Sequence, residues 1–231
     1  MPMRPEMNAS DDRQLLVENL LELNEDFVLD LVRGRMEAGG DLLQIIEDAQ
    51  EGMRRVGLRY EQRQYYISGM MMAGEIFREV MELVQPALMH QAQATASGHI
   101  LLGTVRGDIH DIGKSIFAAL LRSHGFTVTD IGVDVPPEQF IAEIQRLQPD
   151  ILGLAGLLTV SYDSMRETIL KVRQLDEPML AQTPVIIGGG TVNAMVCRYV
   201  EAESWATDAM YGVQLCKQMM HGGKSDGSQA G

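Results

Sequence analysis

The run His99-Ile100-Leu101-Leu102-Gly103-Thr104-Val105, followed by Gly107-Asp108-Ile109-His110-Asp111-Ile112-Gly113-Lys114, decides how the chain is read. The first part has the length and continuity of a strand buried on both faces, as in a parallel sheet. Ser115-Ile116-Phe117-Ala118-Ala119-Leu120-Leu121 then reads as a helix. Asp108 and His110 therefore fall on a loop at the carboxyl end of a strand, the edge at which open α/β sheets bind ligands. An imidazole two residues from a carboxylate suits a metal ligand, because a ligating histidine usually donates its other ring N–H to such a partner. Gly113 removes a side chain where the loop turns into the helix, so a bulky ligand can approach the backbone. A lone loop histidine is also an ordinary surface residue, and the rest of the chain has to decide.

Downstream the pattern keeps alternating. Strands are expected at 100–105, 126–131, 151–155 and 184–188, with a short fifth around 205–207. Helices are expected at 112–124, 137–147, 162–175 and 191–202, and a last one from Asp208 to His221. This alternation predicts a doubly wound parallel sheet, flavodoxin-like or Rossmann-like. Upstream the period is helical. Leu15, Leu16, Leu20, Leu21 and Leu23 mark a first helix from Asp11. Asn24 is positioned as the N-cap of a second, with Phe27, Val28, Leu31 and Val32 as its apolar face. Gly39-Gly40 ends it, Asp41 caps a third, and Ser68 opens a fourth that is rich in methionine and ends near Pro86. Four short helices with tight connections predict an antiparallel bundle. Thus the fold class is α/β, a four-helix bundle over 11–90 followed by an α/β domain over 98–221. The polar segment 90–97 reads as a linker and hinge, residues 1–10 as frayed, and the Gly/Ser-rich 222–231 as disordered.

Composition narrows the partners. The formal net charge of −13 over 231 residues argues against nucleic acid and against an anionic membrane surface. No apolar run reaches the length of a membrane span, and the N-terminus lacks a charged-then-apolar signal pattern. Cys197 and Cys216 are too far apart for a CxxC and read as buried thiols, so a reducing cytoplasm is expected. The 16 methionines suit either an ordinary core or a surface adapted to a large apolar ligand.

Two more loops share the edge that carries His110. The third strand runs into Gly153-Leu154-Ala155-Gly156-Leu157-Leu158-Thr159-Val160-Ser161, where Ser161 can cap the next helix or hydrogen-bond across the cleft. The fourth ends in Ile187-Gly188-Gly189-Gly190-Thr191, whose bare backbone can line a deep slot or cradle a phosphate. A His–Asp loop, a hydroxyl loop and a glycine slot together fit a large ligand partly buried between strands and capped by a metal.

This constellation resembles the cobalamin-binding domain of methionine synthase and of the corrinoid proteins of anaerobic methyl transfer. The family pattern of Asp-x-His-x-x-Gly, Ser-x-Leu and Gly-Gly is met by Asp108, His110 and Gly113, then by Leu157, then by Gly188-Gly189 after a slightly longer gap. Forty-one positions separate Gly113 from residue 155, where the family serine is replaced by Ala155. Thr159 and Ser161 match the next two hydroxyls of the methionine-synthase-like loop. Upstream, Tyr60-Glu61, Tyr65-Tyr66-Ile67 and Met72-Ala73-Gly74-Glu75 resemble the helical cap of such corrinoid proteins.

The resemblance implies a cobalamin or related corrinoid cofactor with His110 as its lower axial cobalt ligand. Asp108 would accept the other imidazole N–H, and Ser161 would extend that chain. Asp111 and Ile112 would complete the loop beneath the ring. The nucleotide tail would lie in a slot lined by Gly113, Ala155, Leu157, Gly188 and Gly189, with Thr159 beside it. The bundle would cap the methyl-bearing face, with Met70 to Met72 as either ligand-facing or core residues. The implied activity is methyl carriage. Cobalt(I) would accept a methyl group from a donor-specific methyltransferase partner, and a second methyltransferase would pass it to tetrahydrofolate or a thiol. A reductive activator protein would serve the same system. The chain is then a subunit that is not catalytic without its partners. Methanol, methylamines, betaines and aryl methyl ethers are all donors of such systems. A cobalamin-dependent regulator, the cobalamin subunit of a radical mutase and a flavodoxin-like phosphate binder are rival readings. The loss of the serine at Ala155 predicts relaxed discrimination among lower bases of the corrinoid.

Overall fold

The computed structural model describes residues 9–90 and 98–220. The readings of residues 1–8, of the linker and hinge over 91–97 and of the tail 222–231 lie outside these residues. The chain divides at His90 into two compact units.

The first unit is built of α1 (Ala9–Leu21), α2 (Glu25–Glu37), α3 (Leu42–Glu61) and α4 (Ile67–His90). The helix starts at Ala9 rather than Asp11. Asp41 caps α3 by accepting the Leu43 N–H at 2.9 Å, as its position predicts. Asn24 occupies the N-cap position of α2 without a capping bond; its amide donates instead to Asn19 Oδ1 at 3.1 Å. The first turn of α2 carries Glu25 and Asp26 and its last carries Arg35, which complements the helix dipole at both ends. Leu16 and Leu20, Val28 and Val32, Ile45 and Ala49, and Ala73, Ile76, Phe77, Val80 and Val84 form the buried stripes. Phe27, expected among them, is exposed. So are Met70, Met71 and Met72, which removes them from the core of this unit.

Among the described residues of the bundle, one charged side chain is buried. Asp48 on α3 has no solvent exposure. Arg35 of α2 donates to its Oδ2 at 2.7 Å, Gln44 to Oδ1 at 3.0 Å, and Arg13 of α1 approaches to 3.4 Å. Three helices thus meet on one carboxylate. Asp48→Ala leaves Arg35 short of a partner in a nearly dry site, since Arg13 is largely in water and contributes little. The substitution is expected to lower stability by about 2 kcal/mol, read as an earlier urea midpoint by far-UV circular dichroism.

The second unit alternates β1 (His99–Thr104), α5 (Ile112–Ser123), β2 (Thr127–Asp130), α6 (Pro137–Leu147), β3 (Ile151–Ala155), α7 (Ser161–Arg173), α8 (Pro178–Ala181), β4 (Val185–Gly188), α9 (Ala194–Val200), β5 (Ser204–Ala206) and α10 (Ala209–Met220). The five strands are all parallel in the order β2-β1-β3-β4-β5, which is the flavodoxin-like arrangement. Leu101, Leu152, Leu154, Val185 and Ile187 meet Phe140 and Ile144 of α6, Met165 and Ile169 of α7 and Val200 of α9 on one face. Helices α5 and α10 pack on the other. Strands β1, β3 and β4 are therefore buried on both sides and read as continuous apolar runs, whereas the edge strand β2 is partly exposed and mixes Thr and Asp with Val.

Two elements depart from the sequence reading. The short α8 starts at Pro178, a first-turn proline that the helical periodicity does not show. Helix α9 is shorter than the expected 191–202. Asn193 sets its start by accepting from the Met195 and Val196 amides, and Val192 N–H turns back to Gly189 O at 3.2 Å.

Candidate functional site

The order reverses between β1 and β3, so the loops after these two strands flank the switch point where such sheets bind ligands. The loop after β1 carries Asp108, which is 1% exposed, and His110, whose side chain is half exposed. Asp108 Oδ1 accepts the His110 amide at 3.0 Å and His110 Nδ1 at 2.6 Å. Its Oδ2 accepts the Leu157 amide at 2.6 Å, the Leu158 amide at 3.0 Å and the Ser161 hydroxyl at 2.7 Å. Ser161 is itself buried and makes no capping bond, so the open choice at this residue falls to the bond across the cleft.

These donors determine the charge. Burial pushes the Asp108 carboxyl up, but the Leu158 amide, the Ser161 hydroxyl and the bonds from His110 outweigh it and hold the group well below the usual carboxylate range. An ionised carboxylate only accepts, so the proton of this bond lies on His110 Nδ1, and in the neutral imidazole Nε2 carries the lone pair. Nε2 has no hydrogen-bond partner among the described residues. The imidazole is thus held in one tautomer with its free nitrogen outward. Around it the same sheet edge presents exposed Ile109, Val133, Leu157, Leu158 and Val160, an apolar rim for a large flat ligand.

The remaining candidates separate. Asp111 is exposed at the N-cap of α5 without a side-chain bond, and Ile112 is half-buried. Thr159 is exposed and does not join the bonds to Asp108. Ala155 closes β3, in register with Thr104 and Gly188. A side chain at Gly113 would meet nothing within 4 Å, and one at Gly188 only the Ala206 carbonyl at 3.7 Å, so both positions border open space. Gly189 is different. It has φ +145°, and a Cβ there would lie 2.0 Å from the Gly156 carbonyl oxygen, so the backbone itself requires glycine. At the start of α9, Asn193 takes the Met195 and Val196 amides.

The sequence reading missed three participants. The Leu158 amide is a backbone donor with no side-chain signature. Thr104, wholly buried, donates its hydroxyl to the His110 carbonyl at 2.9 Å. Gly156 allows Ser161 to reach Asp108, since a Cβ at 156 would lie 2.7 Å from the Ser161 Cβ. Only the crowding of small residues in that loop hinted at it.

Comparison with known proteins matches the geometry. The profile of the B12 binding domain fits residues 98–214, and a second B12 binding domain profile fits residues 13–85. Dimethylamine corrinoid protein 1 of Methanosarcina acetivorans is 30% identical over 217 residues, covering 93% of this chain and 100% of its own. The fold is shared with the solved Methanosarcina barkeri monomethylamine corrinoid protein, at TM-score 0.82 and 23% identity over 91% of this chain and 99% of that one. A chain of the methanol:cobalamin methyltransferase complex from Methanosarcina barkeri aligns at TM-score 0.51 and 25% identity, over 94% of this chain and 82% of that one. With both of its units matched in this way, the chain belongs to the corrinoid proteins built from B12 binding domains.

Proposed function

We propose that this protein is a methyl carrier that holds a corrinoid at the carboxyl edge of its sheet, with His110 Nε2 as the lower axial ligand to cobalt. The observation that carries the reading is an outward imidazole anchored through Nδ1 on a buried, five-fold hydrogen-bonded carboxylate. The residues fit the group. Among the described residues no cluster of three or more His, Cys, Asp or Glu could hold a metal ion. A cobalt held at His110 would therefore be one that a corrin ring already carries. When bound, the corrinoid supplies a cobalt centre that takes up a methyl group in its most reduced state and gives it up to a nucleophile.

The chain's own residues do the rest. Asp108 keeps Nδ1 protonated, so the lone pair stays on Nε2. Ser161 and the Leu157 and Leu158 amides hold the carboxylate as an anion, so Asp108 is a fixed partner of the imidazole. Asp108 would keep its bond to Nδ1 whether or not Nε2 held a metal, so the ring stays anchored on its loop. Gly113, Ala155, Leu157, Gly188 and Gly189 border the room for the nucleotide tail, with Asp111, Ile112 and Thr159 at its mouth. Ala155 brings no hydroxyl to that room, which loosens discrimination among lower bases.

The domain roles follow the same reading. Residues 98–221 hold the cofactor and residues 11–90 cap it, offering exposed Tyr66, Ile67, Met71 and Met72 as adaptable apolar surface. The partners are a donor-specific methyltransferase, a second methyltransferase delivering to tetrahydrofolate or a thiol, and a reductive activator. A methyltransferase partner is supported by the relative in a methanol:cobalamin methyltransferase complex, and a methylamine donor by the dimethylamine relative. No helix among the described residues is long and apolar enough to cross a membrane, in keeping with a cytoplasmic place.

The test loads the protein with hydroxocobalamin, reduces it, and offers methanol, methylamines, betaines and aryl methyl ethers with each candidate methyltransferase. The expected result is a visible-spectrum change with one donor class and only in the presence of its methyltransferase. Failure to retain corrinoid through gel filtration contradicts the reading.

A further inference from the structure

Lys114 sits in the first turn of α5, with its side chain 4% exposed. Both facts work against a lysine. A buried ammonium loses its hydration, and the N-terminus of a helix carries the positive end of the dipole. Among the described residues its compensation is an ion pair with Asp130, the last residue of β2. Buried pairs of this kind add little net stability over an apolar pair of similar volume. The pair's position gives it another use.

Asp130 lies at the root of the loop that backs the His110 loop. Its Oδ1 accepts the Gly132 amide at 3.0 Å, and the Gly132 carbonyl accepts the Thr104 amide at 2.9 Å. Thr104 in turn holds the His110 carbonyl through its hydroxyl and accepts the Val135 amide at 3.0 Å. Two residues further along, the Asp134 amide donates to the Asp108 carbonyl at 2.9 Å, and Asp134 Oδ1 accepts the Gly107 amide at 2.8 Å. The loop from 131 to 135 is therefore the frame behind both Asp108 and His110. Lys114 is the side chain by which α5, directly downstream of His110, is fastened to the root of that frame.

We propose that the Lys114–Asp130 pair positions His110, holding the start of α5 and the 131–135 frame at the separation in which Nδ1 meets Asp108 and Nε2 faces outward. The inference rests on the reading of His110 as the cobalt ligand. Lys114 touches neither cofactor nor methyl group; it acts through the loop.

The test compares full-length wild type, Lys114→Met, Lys114→Arg and Asp130→Asn in two states. In the cofactor-free protein, proton NMR follows the His110 Nδ1–H resonance, identified by its loss in His110→Gly. In the cobalamin-loaded cobalt(II) protein, electron paramagnetic resonance gives the ratio of cobalt with and without axial nitrogen from the protein. Lys114→Met is expected to lower that ratio about tenfold, the low end for residues that orient a metal ligand, and to shift the resonance. Lys114→Arg, which keeps the ion pair, restores most of both. Asp130→Asn carries the comparison if Lys114→Met does not fold. An unchanged ratio in a folded variant that lacks the pair, even with a lower melting temperature, makes the pair purely structural and overturns the proposal. If wild type itself shows no axial nitrogen that depends on His110, the cobalt reading fails by itself, and the cofactor-free resonance decides the positioning role.

Discussion

Gly189→Ala is expected to cost about 4 kcal/mol of stability, the largest effect of any single methyl group added at this edge. Two independent costs coincide. The φ of +145° lies in a region that side-chain-bearing residues rarely adopt, and the new Cβ would stand 2.0 Å from the Gly156 carbonyl oxygen. Neither neighbour can yield cheaply. Gly156 N–H is bonded to Gly188 O at 3.0 Å, and Gly156 lies beneath Ser161, so retreat of its carbonyl would disturb the Ser161 bond to Asp108. Trp205, the single tryptophan, packs against the sheet core in β5 and reports on this unit. Urea unfolding followed by its fluorescence should show a sharply lowered midpoint for Gly189→Ala. Gly113→Ala, which meets open space, should show almost none. Similar midpoints for the two variants would refute the close approach.

Asp108→Asn is expected to weaken histidine ligation by one to two orders of magnitude, about 10–100-fold, while the fold loses about 1–3 kcal/mol. The volume is unchanged, but an amide has one acceptor oxygen in place of two. If that oxygen serves Leu157, Leu158 and Ser161, the NH2 faces the His110 amide and Nδ1, where a donor meets donors. Turned the other way, it opposes three donors from the β3–α7 loop. The pH dependence has a definite sign. Asp108 titrates below its unfolded value of about 3.9. Its contribution to stability is therefore complete above that value and is lost as pH falls further. The stability gap between wild type and Asp108→Asn should be constant near neutrality and narrow below about pH 4. A gap that does not narrow would mean that Asp108 is not held as an anion.

What could be read from the sequence was set by local spacing. A carboxylate and an imidazole two residues apart on one loop can meet without long-range help, and the Asp108–His110 bond follows from that. Ser161 was legible as a hydroxyl on the adjacent loop, although its target was one of two open choices. Strands β1, β3 and β4 were legible because burial on both faces makes them continuously apolar. The remainder depends on backbone that the side chains do not encode. The Leu158 amide donates because the β3–α7 loop turns there, and any residue type supplies an N–H. Gly156 and Gly189 are needed by each other across two strands, a relation visible only once β3 and β4 are paired. Asn24 had the right type at a cap position, yet its side chain makes no capping bond there and its amide nitrogen donates to Asn19. In α4, apolar residues occur all round the helix, so periodicity alone could not say that Met70 to Met72 face outward.

Whether His110 Nε2 ligates cobalt can be settled by isotope labelling. Protein is made with ¹⁵N-histidine, loaded with unlabelled cobalamin and examined as cobalt(II) by electron paramagnetic resonance. Coupling to a ¹⁴N axial ligand splits each cobalt line into three, and coupling to ¹⁵N splits it into two. Ligation by His110 gives triplets in unlabelled protein, doublets in labelled protein, and neither pattern in His110→Gly. Triplets that persist after labelling would show that the nitrogen belongs to the cofactor's own base, and would contradict the assignment of His110.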